Sequence, residues 1–88
     1  MDVVWDPPKA RANYIKHGVS FPDAEAVLRD PYALTMEDPD ARNEQRFVSL
    51  GLDSIGRVLV VVYSYEEDHI RLISARKASM SERKFYEK

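Results

Sequence analysis

Glu44, Arg46, Tyr63, Arg71, Arg76 and Lys77 all fall in stretches whose alternation is that of β-strands. A strand side chain has fewer routes to water than a helical one, so charges there call for partners. Ion pairs are one answer, with Glu44 close enough in spacing to serve Arg46, Arg71 or Arg76. A bound polyanion is the other. The usual hydrolase signatures are missing: three scattered glycines make no phosphate loop, and there is no HExxH and no Ser or Cys nucleophile motif. Without Cys, and with histidines only at 17 and 69, neither a disulfide nor an ordinary zinc site can be assembled, and no cofactor is expected.

The net charge of −2 argues against a general nucleic-acid binder, but its distribution is uneven. Residues 21–46 carry −4 and residues 71–88 carry +4. A positive field confined to the last strand and helix can hold a polyanion there while the acidic middle limits loose binding elsewhere. With 88 residues, 44% of them apolar, the chain is expected to form a single domain, 1–88, around one core. The longest apolar run, Val58 to Tyr63, is far short of a membrane span, and the MDVVWD start lacks the form of a signal peptide. A cytoplasmic protein without membrane contact is expected.

The elements that would position these residues follow from local signals. Asp2–Trp5 reads as a short strand, with Trp5 as a core anchor. Asp6 then caps a helix whose first turn holds Pro7 and Pro8, and Gly18 closes it after His17. Ser20 with Asp23 opens a second helix, in which Phe21, Ala24, Val27 and Leu28 keep helical spacing until Asp30-Pro31. From Tyr32 to Glu37 the period becomes two. Strands are expected again over 44–52, 58–65 and 69–77, joined by turns at Asp53–Gly56 and Glu66–Asp68. Regular alternation groups Ile70, Leu72, Ser74 and Arg76 on one face of the last strand, and groups Val48, Leu50 and Leu52 with Glu44 and Arg46 on another. Ser79 and Glu82 form a capping box for a terminal helix with Met80, Phe85 and Tyr86 available for packing. The order βααββββα, with hairpin-linked strands between helices, indicates an α+β two-layer sandwich on an antiparallel sheet of four to five strands.

Four segments together resemble the BrnT family of toxins: WDPPKARANYIKHGVSF at 5–21, the Glu44-x-Arg46 pair, LVVVY at 59–63, and IRLISARKASMSERKFY at 70–86. The likeness covers nearly the whole chain in order and spacing. It implies a RelE-like fold and a ribonuclease that inhibits translation. It also implies neutralisation by a BrnA-like antitoxin with a ribbon-helix-helix part, in a heterotetramer that meets DNA only through the antitoxin. Two departures stand out. The turn 65–69 is acidic where relatives often carry an Arg, and Pro22 stands where an acidic residue is common.

RNA cleavage without a metal uses the neighbouring 2′-hydroxyl as nucleophile, so the protein need supply only a proton acceptor, a proton donor and cations around the phosphate. Arg suits the last role, since its fork makes two bonds to phosphoryl oxygens and one pre-placed donor is worth roughly 3–4 kcal/mol. Arg46 and Arg76 are the first candidates, with Arg71, Lys77, Arg83 and Tyr63 as further substrate contacts. Glu44, His17 and Tyr86 are the candidates for acid-base work. His17, beside Gly18, is equally suited to capping its helix. Tyr86 would need Lys77 or Arg83 to ease its proton loss. His69, Asp38 and Asp40 carry no expected chemistry. From a different class, the alternative function is a non-catalytic module of the same fold that holds RNA or an antitoxin segment on its basic edge.

Overall fold

The computed structural model describes residues 1–42 and 44–88. Its first helix, α1 (Pro7–His17), begins where expected: the Asp6 carboxylate accepts the Lys9 amide at 3.2 Å. It ends at Gly18, whose φ of 70° lets the amide turn back to the Tyr14 carbonyl at 2.8 Å. Ser20 caps α2 (Phe21–Ala24) by accepting the Asp23 amide. The expected second helix then tightens into a 3-10 turn, Glu25–Arg29, instead of continuing as one α-helix. That winding delivers Val27 to the core and Asp30 to the end of the sheet, where its carboxylate accepts the amides of Tyr32 and Leu52, each at 2.9 Å. The approach is close: a Cβ on Gly51 would lie 3.1 Å from both Val27 Cγ1 and Asp30 Oδ2.

Five strands form one sheet: β1 (Asp2–Val4), β2 (Leu34–Glu37), β3 (Phe47–Leu52), β4 (Val58–Glu66) and β5 (His69–Lys77), in the order β1-β5-β4-β3-β2. β4 is central and almost wholly buried, as its continuous apolar run requires. The sheet is mixed, which corrects the expectation of an antiparallel one. β2 to β5 are neighbours through antiparallel pairing, but β1 runs parallel to β5. No hairpin links β1 to β5, so nothing forces them to oppose.

One face of the sheet carries the core. Leu59, Val61 and Tyr63 of β4 and Ile70, Leu72 and Ala75 of β5 pack on Val19, Phe21, Ala24 and Val27. Each large apolar side chain buried this way contributes about 1.5–3 kcal/mol. Trp5 closes the edge with its ring across Phe21 at 5.9 Å, the anchoring role expected of it.

A bulge decides what the other face presents. Val62 pairs with Ser74 but Tyr63 pairs with Leu72, so Ile73 is an extra residue. The expected grouping of Ile70, Leu72, Ser74 and Arg76 is thereby broken. Ile70, Leu72 and Ala75 go to the core, while Arg71, paired with Ser64, and Arg76, paired with Val60, go to the opposite face. The last helix, α3 (Met80–Glu87), crosses one end of that face. Both halves of its capping box are made, Ser79 Oγ accepting from Glu82 and Glu82 Oε1 from the Ser79 amide. No residue of α3 is buried, and Met80 and Phe85 are 69% and 61% exposed, so it does not pack as expected. Between α3 and the sheet lies an apolar trough of about 520 Å³, lined by Leu34, Met36, Val48, Leu50, Val60 and Phe85. No helix among the described residues is long and apolar enough to cross a membrane.

Candidate active site

Two groups of charge occupy the open face, one at each end. The first joins Glu44, Arg46, Arg71, Glu66 and His69. β3 begins at Phe47, so Glu44 and Arg46 precede the ladder instead of belonging to it. The Glu44 carboxylate accepts Arg46 Nε at 3.0 Å and Arg71 Nη2 at 3.2 and 3.3 Å. Arg71 Nε also donates to Glu66 at 2.6 Å, and His69 Nε2 lies 3.3 Å from the same carboxylate. The Arg71 hydrogen bond, aided by His69, holds the Glu66 carboxyl below its ordinary range, and Glu66 in turn raises Arg71. All five side chains keep partial access to water; Arg71 is 27% and Arg46 38% exposed. Beside them, the buried Ser64 hydroxyl has no hydrogen-bond partner among the described residues.

At the other end Arg76 meets α3. Nη1 and Nη2 each donate to one oxygen of Glu82 at 2.9 Å, a two-pronged pair. The guanidinium, with the Ser79 amide, holds Glu82 down to about 2, and Glu82 raises Arg76. Arg71 and Arg76 stand opposite Ser64 and Val60 of β4. Four strand residues separate the two groups by about 13 Å.

The remaining candidates lie elsewhere. Tyr63 is 4% exposed, stacked on Phe47 with ring centres 6.0 Å apart, and its hydroxyl is 2.8 Å from Ser49 Oγ, which continues to Thr35 at 2.7 Å. It is a core residue, not a substrate contact, because its parity puts it under the helices. Tyr86 donates a short hydrogen bond to Asp30, and that bond and burial push its hydroxyl up to about 12. Burial pushes the Asp30 carboxyl up, but hydrogen bonds from Tyr86, Leu52 and Tyr32 outweigh it and leave Asp30 below its ordinary range. The Asp30 carboxylate opposes proton loss from Tyr86, and no cation among the described residues offsets it, which disfavours Tyr86 as a base near neutrality. His17 ends α1 on the helix-covered side, away from both arginine groups. Lys77 alternates with Arg76 and points from the open face; with Arg83, Arg57 and Tyr86 it lines a second hollow beyond α3.

His69 is the residue that sequence reasoning passed over. Its signal was present, since it stands two before Arg71 on one strand and so shares its face.

Over residues 5–82 the chain matches the family described as the ribonuclease toxin, BrnT, of type II toxin-antitoxin systems. The crystal structure of the Brucella abortus ribonuclease toxin BrnT resembles it with a TM-score of 0.67 and 26% sequence identity, over 91% of this chain and 99% of that one. No curated protein matches it.

Proposed function

We propose that this chain, which belongs to the BrnT family of ribonuclease toxins of type II toxin-antitoxin systems, cleaves RNA through the 2′-hydroxyl without a metal ion. The observation that carries the reading is the arginine-bearing open face, with Arg71 and, bound to the same Glu44, Arg46 toward one end of β5 and Arg76 toward the other. The distance between the ends suits a strand of RNA lying across the face, with Arg76 on one phosphate and Arg46 with Arg71 on another. The scissile phosphate belongs at the Arg46 end, where a carboxylate and an imidazole are also found. As phosphate oxygens take the guanidinium forks, Glu44 loses the donors that occupy its lone pairs and can accept the 2′-hydroxyl proton. The 2′-oxygen then attacks phosphorus and the bond to the 5′-oxygen breaks. His69 supplies that oxygen's proton, leaving a 2′,3′-cyclic phosphate and a 5′-hydroxyl. Among the described residues no three His, Cys, Asp or Glu side chains come together as metal ligands.

In the cell such cleavage would inhibit translation, in the cytoplasm, and a BrnA-like ribbon-helix-helix antitoxin would restrain it in a heterotetramer. The +4 segment 71–88, with exposed Met80 and Phe85, the latter lining the trough, offers acidic and apolar antitoxin residues a surface. One observation favours the non-catalytic reading: each of Arg46, Arg71 and Arg76 already has a carboxylate partner.

Expression of the chain alone, followed by primer extension on total RNA, separates the two. Discrete new ends that persist in EDTA and carry 2′,3′-cyclic phosphate are expected. Intact transcripts would overturn the enzyme reading, and 3′-hydroxyl ends formed only with a metal would overturn the mechanism.

A further inference from the structure

The inference drawn here rests on the reading that Arg76 holds an RNA phosphate. The Arg76 fork is not empty: both terminal nitrogens are already bound, each at 2.9 Å, by the two oxygens of Glu82. This is the geometry by which a phosphate would be gripped, made by a group on the same chain. Glu82 reaches it from α3, a helix with no buried residue, whose other side-chain hydrogen bonds among the described residues are those at its own N-terminal cap and the Tyr86 bond to Asp30. Glu82 also lines the trough across which the RNA would run. RNA cannot take the two-pronged contact with Arg76 while Glu82 keeps it.

We propose that Glu82 competes in cis for the phosphate-binding fork of Arg76, and thereby sets how tightly this end of the face holds RNA. The pair is partly exposed, with Arg76 at 45% and Glu82 at 34%. Exposed ion pairs are weak enough to be displaced without unfolding, and the resistance they offer is a factor of roughly two to five in affinity. Glu82 is then a soft gate. It admits a strand that also engages Arg46 and Arg71, and it disfavours an isolated phosphate that offers nothing beyond the Arg76 contact.

Glu82→Gln tests this, because Gln can keep its place in the capping box while losing the charge. The measurement is the affinity for a fluorescent single-stranded RNA made uncleavable by 2′-O-methyl groups. Glu82→Gln should bind it roughly two to five times more tightly than the unmodified chain, whereas Glu87→Gln, the same charge change on the same helix, should not. In an Arg76→Ala background, Glu82→Gln should have no effect, since the competition would be gone. If Arg76→Ala weakens binding but Glu82→Gln leaves it unchanged or weakens it too, Glu82 steadies Arg76 and does not compete with RNA. If Arg76→Ala binds as well as the unmodified chain, the reading of Arg76 as a phosphate ligand fails, and the competition with it.

Discussion

The side-chain amide of Asn13, on α1, forms with the backbone of Ala75 the pair of hydrogen bonds that a neighbouring strand would make. Asn13 Nδ2 donates to the Ala75 carbonyl at 2.9 Å, and Asn13 Oδ1 accepts the Ala75 amide at 3.1 Å. β1 pairs only with His69 to Arg71, so the edge of β5 beyond it would otherwise leave these groups bare under a helix. The same amide nitrogen donates to the Val19 carbonyl at 3.0 Å, fixing the turn after α1.

Asn13→Ala should therefore destabilise the domain by about 2–4 kcal/mol, because it strands three buried backbone groups at once. Asn13→Asp should not rescue it, since a carboxylate can accept from Ala75 but cannot donate to either carbonyl. Urea unfolding of the variants measures both, and a loss below about 0.5 kcal/mol, the range of an ordinary surface change, would contradict this account.

Arg46→Ala should lower RNA cleavage by roughly two to three orders of magnitude, the loss expected for one transition-state donor, whereas Arg76→Ala, which releases a phosphate away from the scissile one, should chiefly raise KM; both should melt with little change. Lys at either position should restore only part of the activity, because it lacks the fork. Arg29→Ala, which breaks only an exposed pair with Glu25, is the control for general charge. Cleavage rates that fall only in step with stability would assign the arginines to structure instead.

The two histidines should behave differently. His69→Asn removes the proton donor from the Arg71 cluster and should slow cleavage by about 10²–10⁴-fold, the range of general acid-base catalysis. His17→Asn, on the far side of the sheet, should cleave normally. Single-turnover cleavage rates of the two variants, measured side by side at one pH, distinguish them.

Tyr86 makes a prediction about alkali. Its hydroxyl is raised to about 12 in the fold, so the bond to Asp30 stabilises fully below the ordinary tyrosine value near 10 and is lost as pH rises through 12. Tyr86→Phe should lower stability by about 1 kcal/mol at neutral pH, given its partial exposure. Between pH 10 and 12 the gap between the two proteins should close. A gap that widens there would mean that the hydroxyl is not held by a carboxylate.

The parts of this fold that could be read from sequence are those whose cause lies within one turn of chain. Asp6, Ser20 and Ser79 accept amides three residues on, and the Gly18 amide donates to a carbonyl four residues back, so residue type and spacing suffice to find them. The apolar run of β4 marks a central strand whatever surrounds it. Pairing was less legible. That Ile73 is extra depends on how β5 meets β4, and alternation alone sent Arg76 to the wrong neighbours. Tyr86 and Asp30 lie 56 positions apart, and no local pattern announces such a contact. The candidate site was half visible: Glu44, Arg46 and Arg71 do meet, but Tyr63 looked like a ligand because its strand is buried on both faces and either face was open to it.

The extra residue in β5 also bears on how relatives of this chain should be compared. Arg71 and Arg76 are an odd number of positions apart, and in an unbroken strand an odd spacing sends two side chains to opposite sides. Here the bulge restores them to one side. A relative lacking it would need an even spacing to present the same pair, so an alignment that forbids a gap between these arginines would match a surface cation with a core residue. Insertions and deletions in this short stretch are then best judged by whether they keep both arginines on one side, not by how well the letters agree.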